Sequence, residues 1–129
     1  MKKYKFKLDA LLKIRKLKEE KCKMEIGRIQ VSISNLEEEI KKHNLGIKEA
    51  FEGQEAALVK GLSGQEIQFH PYFVQGKRAH INQIQEEIER LDQLRLRKFD
   101  ELKFLRADVK VIDEMKTKDK ITVSYTHLT

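Results

Sequence analysis

The chain has 129 residues, of which 37% are charged and 7% aromatic, with one Pro, one Cys and no Trp. That profile is typical of a long helix or coiled coil, and it excludes a broad core that encloses a ligand pocket. The net charge of +6 is uneven, since residues 1–23 hold ten Lys and Arg against three acids. A strongly basic end favours an acidic partner.

The first predicted helix spans about residues 8–60. Its first turns are apolar on a wide face, and Leu17, Met24 and Val31 form a further stripe, so this face either packs on the second helix or docks to a partner protein. From Cys22 onward the apolar positions alternate by four and three residues, the 3.5-residue period of a left-handed coiled coil. We call this row the first seam: Cys22, Ile26, Ile29, Ile33, Leu36, Ile40, His43, Ile47 and Ala50.

A glycine-containing break near residues 61–64 separates the two helices. Ser63 and Glu66 have the spacing of a capping box, which predicts that the second helix starts near Gln65. Pro71 then lies inside the helix and kinks it, or else marks the true start. The aromatic residues of 69–73 either pack within the hairpin or form a partner-binding patch.

The second predicted helix spans about residues 65–118 and has a seam of the same period. Two long helices with one seam each predict an all-α fold, an antiparallel two-helix coiled-coil hairpin, occupying residues 1–120 as one domain. The uncharged, Thr-rich tail at 121–129 favours strand or coil, and we expect it to be non-native. The second seam is Val74, Lys77, Ile81, Ile84, Ile88, Leu91, Arg95, Lys98, Leu102, Leu105, Val109 and Ile112.

No recognisable catalytic or ligand-binding motif interrupts these patterns. A glycine-rich phosphate loop is missing, and the four His residues have no metal-ligand spacing. Cys22 occupies a seam position, where a small buried hydrophobe is favoured over a reactive thiol. We therefore expect a protein that is not an enzyme, with no catalytic residues, no cofactor and no metal. Only Tyr4 and Phe6 interleave the basic start, so a nucleic-acid stacking surface is poorly supported.

The opening of the chain resembles that of FliJ-family flagellar export proteins. Residues 4–15 contain the aromatic-x-Leu-x-x-Leu-Leu-x-x-Arg pattern, and the acidic pair Glu19-Glu20 follows. The glycine-containing break, the segment 65–73 and a long charged helix also match the family layout. The similarity covers about residues 4–118, and the family usually continues further with charged helix, so this copy is expected to be truncated.

The resemblance implies a stalk and adaptor of the flagellar type III export apparatus. Its implied partners are the export ATPase ring, the cytoplasmic domain of the export gate and the export chaperones. We expect the basic end to bind the ATPase and the bend to bind the gate. The expected ATPase-binding residues are Lys13, Arg15, Lys16, Lys18, Arg95 and Arg97. The residues that the resemblance assigns to gate binding are Ile47, Phe51, Phe73, Lys77 and His80, and the family favours an apolar residue in place of Lys77.

Two other functions remain open from the sequence alone. The hairpin suits a generic coiled-coil scaffold or holdase chaperone, and its basic end suits, less well, an arm that grips RNA without sequence specificity. No apolar run approaches the ~20 residues that span a bilayer, and no apolar segment follows the charged start as in a signal peptide. We expect a cytoplasmic protein, peripheral at the inner face of the cell membrane through its partners.

Overall fold

The computed structural model describes the backbone of residues 2–61 and 64–128 and the side chains of residues 7–61 and 71–118. It contains two helices, α1 (Lys2–Val59) and α2 (Gly64–Leu128), and the described residues form no strand. The helices pack against each other as a hairpin. This confirms the all-α hairpin predicted from the two seams.

The bend begins where α1 ends, at a glycine in the left-handed region. Gly61 has a φ of 74°, and its N–H donates to the carbonyl oxygen of Leu58 at 3.2 Å. Glycine adopts this conformation without the steric penalty of a Cβ, which makes it the common residue after a helix end. The rest of the predicted bend, Leu62 and Ser63, lies outside the described residues, as does the capping side chain of Glu66.

The helix limits differ from the sequence-based limits at both ends of the chain. α1 begins at Lys2, ahead of the predicted start near Leu8. α2 begins at Gly64, one residue ahead of the predicted start, and Pro71 lies inside it. The strand or coil favoured for the tail is wrong for 121–128, where α2 continues. Adding a residue to an existing helix gains a hydrogen bond, and this outweighs a weak β-propensity.

The hairpin divides into two compact units. Unit 1 comprises Met1–Arg28 with Leu94–Thr129, and unit 2 comprises Ile29–Gln93. In both units every predicted seam position is buried or half-buried. The 3.5-residue period therefore identified the packed face of each helix correctly.

Unit 1 contains two apolar clusters that join the helices. Between them, α1 places Arg15 and Glu19 at the two seam-spaced positions, and both are half-buried. The two helices pair in antiparallel directions. Asp9 near the start of α1 contacts Lys116 of α2, whereas Glu25, farther along α1, contacts the earlier residue Lys98. One cluster comprises Leu8, Leu12 and Ile112 with Val109, and the other Cys22, Ile26 and Leu102 with Leu105.

The packing of unit 2 is less deeply buried. Among the described residues, its buried apolar side chains are Ile29, Ile33, Val74 and Ile81. The remaining seam positions of this unit, His43 and Lys77 among them, are half-buried. A polar seam position limits how much apolar surface two helices remove from water.

Only part of the wide apolar face at the start of α1 packs against α2. Leu8 and Leu12 pack against α2 as one interpretation expects. The stripe that follows does not, because Leu17 and Met24 are 62% and 58% exposed. Large apolar side chains that remain in water are typical of surfaces that bind partners.

Candidate binding surfaces

The predicted ATPase-binding residues fall into two groups within unit 1. Lys13, Lys16 and Lys18 are exposed on α1, and Arg15 between them is half-buried. Arg97 is exposed on α2 and Arg95 is half-buried there. Because Lys98 of α2 pairs with Glu25, Arg97 and Arg95 lie about 12 and about 15 Å along the helix axis from Lys18, at about 1.5 Å per residue. The structure therefore brings the four α1 cations together and places the two arginines of α2 apart from them.

A charged layer replaces the apolar seam between the two clusters of unit 1. The side chain of Glu19 is only 16% exposed. Its Oε1 lies 3.5 Å from Arg106 Nε and 3.4 Å from Lys23 Nζ. Within the described residues, the buried Nε of Arg15 has no hydrogen-bond partner. Buried donors normally find an acceptor, so this guanidinium is an exception that calls for a physical explanation.

Lys98 anchors the second charged contact between the helices of unit 1. Its Nζ lies 2.7 Å from Glu25 Oε2 and 3.2 Å from Glu101 Oε2. Hydrogen bonds to these carboxylates raise the pKa of Lys98, and the bond from Lys98 lowers the pKa of Glu25. The thiol of Cys22 lies against this layer, 3.4 Å from the Lys98 carbonyl oxygen. Burial raises the pKa of Cys22, as expected for a structural thiol.

Exposed apolar residues occur on the outer faces of both helices of unit 1. Met24 of α1 lies between the buried Cys22 and Ile26 in sequence, which places it opposite the seam. On α2, Phe104 and Val111 are 74% and 54% exposed. A partner that touched only one side of unit 1 would leave one of these faces in water.

The predicted gate-binding residues all lie in unit 2. Phe73, Lys77 and His80 follow one another on α2 at spacings of four and three, so they share one helix face. Phe51, Phe73 and His80 are exposed, whereas Ile47 and Lys77 are half-buried. Ile47 and Phe51 are one turn apart on α1. The predicted gate-binding residues therefore form one short row on each helix.

Lys77 makes the polar contact between the helices of unit 2. Its Nζ lies 3.2 Å from Nδ1 of His43 and 5.5 Å from the ring centroid of Phe73. A lysine ammonium only donates, so Nδ1 of His43 accepts this hydrogen bond. The His43 ring stacks on His80 with centroids 5.6 Å apart and planes 8° from parallel. Lys77 therefore holds an ordered position that an apolar residue would not reproduce.

A cleft of about 510 Å³ lies beside these residues in unit 2. Phe51 lines it and Phe73 does not. Of the predicted gate-binding residues, only Phe51 lines the cleft, and the other lining residues were not predicted to bind the gate. Its lining is Phe51, Gln54, Pro71, Val74, Gln75 and Arg78.

Comparison with known proteins identifies the family. The model of the family described as "Flagellar FliJ protein" matches residues 4–122. The chain belongs to the FliJ family. It is therefore a flagellar export-related protein. A search of curated proteins and a search of solved structures each found no match. The family resemblance read from residues 4–15 and from the bend is confirmed.

Family membership leaves the individual binding residues as predictions. Among the described residues of this FliJ-family chain, no group of three or more His, Cys, Asp or Glu is placed to hold a metal ion. Nowhere in the described part does a helix have the length and apolarity needed to cross a membrane.

Sequence reasoning missed the roles of His43 and Glu19. His43 was assigned only to the seam, yet it joins Lys77 and His80 in one polar group. Glu19 was noted only as part of an acidic pair, yet it is the carboxylate with which Arg106 and Lys23 both form ion pairs. Continuing the 4-3 alternation backwards from Cys22 reaches Glu19 and then Arg15, which is the signal that would have found this layer.

Proposed function

We propose that this FliJ-family protein is a non-enzymatic stalk and adaptor of the flagellar type III export apparatus. Unit 1 binds the export ATPase ring, and unit 2 binds the cytoplasmic domain of the export gate. The observation that carries the proposal is the charge contrast between the units. Unit 1 holds 20 Lys and Arg against 10 Asp and Glu, a net of +10, whereas unit 2 holds 7 against 11, a net of −4.

The surface of unit 1 supports a partner that surrounds it. Exposed cations steer association with an acidic partner, and exposed apolar side chains supply contact area once the partner has arrived. Leu17 and Met24 on α1 and Phe104 and Val111 on α2 are all more than half exposed. Because these residues lie on the outer faces of two different helices, a ring satisfies them better than a partner on one side.

The surface of unit 2 supports a separate and less charged partner. Phe51 and Phe73 are 47% and 48% exposed, and Tyr72 is 77% exposed. Aromatic side chains of this kind are common anchors of protein interfaces. The cleft beside Phe51 offers a place for an apolar side chain of the gate.

The remaining parts of the proposal follow from the same architecture. Two helices with one narrow seam give little enclosed space for a substrate or cofactor, so the protein acts through its surface. We place it in the cytoplasm, peripheral at the inner face of the cell membrane, because it reaches the membrane only through its partners. Export chaperones are further partners, and no specific nucleic acid is one.

A binding experiment with two partners tests the proposal. The export ATPase and the gate domain are immobilised separately, and the chain is bound at 50 and 200 mM salt. Reversing Lys13, Lys16 and Lys18 to Glu is expected to slow association with the ATPase by about tenfold at low salt and to flatten its salt dependence. Gate binding and helix content stay as in the parent, because exposed charges contribute little to stability.

The matched control reverses three lysines of unit 2, Lys42, Lys48 and Lys60. It changes the net charge by the same amount and is expected to leave ATPase association within about twofold of the parent. Equal slowing by both triple variants would show that only total charge matters. An absence of binding by the parent to either partner would leave a generic coiled-coil scaffold or holdase chaperone as the function.

A further inference from the structure

Unit 1 contains a charged cleft beside the layer formed by Arg15 and Glu19. The cleft has a volume of about 440 Å³, and both helices line it. Cys22 and Leu105 give it an apolar wall, and Cys22 is almost completely buried. The rest of the lining is charged: Arg15, Lys18, Lys21, Glu25, Lys98 and Glu101.

The two carboxylates of the cleft share one lysine. Glu25 and Glu101 both accept from Lys98, at 2.7 and 3.2 Å. Among the described residues, Lys18 and Lys21 have no ion pair. The lining therefore holds four cations against two carboxylates, a net of +2, and among the described residues Arg15 has no ion pair either. Cations grouped around a cleft attract an anion more strongly than the same cations spread over a surface.

Arg15 differs from the two lysines because part of its guanidinium is buried. Its Nε is buried and has no partner in the described part of the chain. The nearest carboxylate along the helix is Glu19, four residues on, which contacts Lys23 and Arg106 instead. A buried donor without an acceptor destabilises the free protein.

We infer that this cleft binds the carboxylate of an acidic side chain from a partner protein. An arginine fork and two lysines match a carboxylate, and the fork forms paired hydrogen bonds with its two oxygens. The apolar wall of Cys22 and Leu105 fits the methylene stem of a glutamate, which a free inorganic anion lacks. The inference rests on the proposed function, in which unit 1 binds an acidic surface of the export ATPase.

Replacing Arg15 with Met separates this role from a purely structural one. Met suits a seam position and needs no acceptor, so the melting temperature of the full chain is expected to rise. The complex with the export ATPase is expected to dissociate about tenfold faster, because the acidic side chain loses its paired donors. Arg15→Lys keeps the charge but loses the fork, and its dissociation rate is expected to lie between the two.

Lys48→Met is the matched control, since it removes one positive charge from an exposed position of unit 2, outside the proposed ATPase-binding surface. Its dissociation rate and melting temperature are expected to equal those of the parent. If Arg15→Met melts higher but dissociates no faster than Lys48→Met, Arg15 is only an unfavourable seam residue and the inference is overturned. The proposed function then still stands. If the parent chain fails to bind the ATPase at all, the proposed function falls and this inference falls with it.

Discussion

The two units share one seam pattern but use their polar seam positions differently. Unit 1 joins its helices by ion pairs: Glu19 with Arg106 lies between the two buried apolar clusters, and Glu25 with Lys98 lies beside the second cluster. In unit 2, the cross-helix polar contact joins Lys77 to His43 among mostly half-buried residues. The apolar period thus determines that the two helices pair. The polar residues at seam positions determine which polar contacts join the helices in each unit.

Introducing a charge into each seam tests the difference in burial most strongly. Leu102 is 5% exposed and belongs to an apolar cluster of unit 1, whereas Ile84 of unit 2 is half-buried. We expect Leu102→Asp to lower the free energy of unfolding by about 4 kcal/mol, because it buries an unpaired charge. Ile84→Asp should cost about half as much. Thermal unfolding followed by circular dichroism measures both, and equal losses would contradict the contrast.

Exchanging one exposed phenylalanine in each unit tests whether the surfaces have different partners. Phe73→Ala in unit 2 is expected to weaken binding to the gate domain by about tenfold or more and to leave ATPase binding intact. Phe104→Ala in unit 1 is expected to do the reverse. Each variant is the control for the other, and isothermal titration with both partners measures the effects. Parallel losses at both partners would indicate one shared surface.

Replacing His43 with Leu tests the polar seam position of unit 2. Leu adds buried apolar area at a half-buried position, so the free energy of unfolding is expected to rise by about 1 kcal/mol. His80→Leu is the matched control, because that side chain is exposed and gains little from the change. Denaturant unfolding compares the two variants. A loss of stability in His43→Leu would show that the contact with Lys77 outweighs apolar packing.

The Glu25–Lys98 pair makes unit 1 sensitive to acid. The folded-state pKa of Glu25 is lowered from 4.5, so the pair contributes stability above the unfolded-state pKa and loses it as the pH falls through the folded-state pKa. We expect the melting temperature of the parent to fall more steeply below a pH of about 4.5 than that of Glu25→Gln. Glu49→Gln, on an exposed position of unit 2, should keep the slope of the parent. If the melting temperatures of the parent and both variants fall equally steeply with decreasing pH, the Glu25–Lys98 pair is not the source of the acid sensitivity.

Removing residues 121–129 should have the smallest effect. No predicted seam position lies in this tail, and the apolar clusters of unit 1 end at Ile112. We expect the melting temperature of the shortened chain to lie within about 2 °C of that of the parent. Differential scanning calorimetry is the measurement. A clear drop would show that the tail stabilises unit 1.

The fold could be predicted from sequence because its determinants are local. A 4-3 alternation of apolar residues identifies one face of a helix without reference to any other part of the chain. Within the predicted break, Gly61 has the positive φ that glycine accommodates. The limits of the helices were less predictable, because helix ends depend on weak preferences that continuation of the helix overrides.

The polar contacts were not predictable because they depend on register. Lys77 meets His43, and Arg106 meets Glu19, only when the two helices align at one offset. The period of a seam gives the face of each helix but leaves this offset open. The same limit explains why Arg95 and Arg97 were grouped with Lys18, although they lie farther along the helix.

The separation in sequence between cross-helix partners predicts an order of folding. Lys77 and His43 of unit 2 are 34 residues apart, whereas Lys98 and Cys22 of unit 1 are 76 apart. Closing a shorter loop costs less chain entropy, so pairing is expected to start near the bend and to reach the chain ends last. Unit 1 is then the first part to fray when the native protein opens. A partner that encloses it holds both chain ends closed, and binding there should slow unfolding of the whole hairpin.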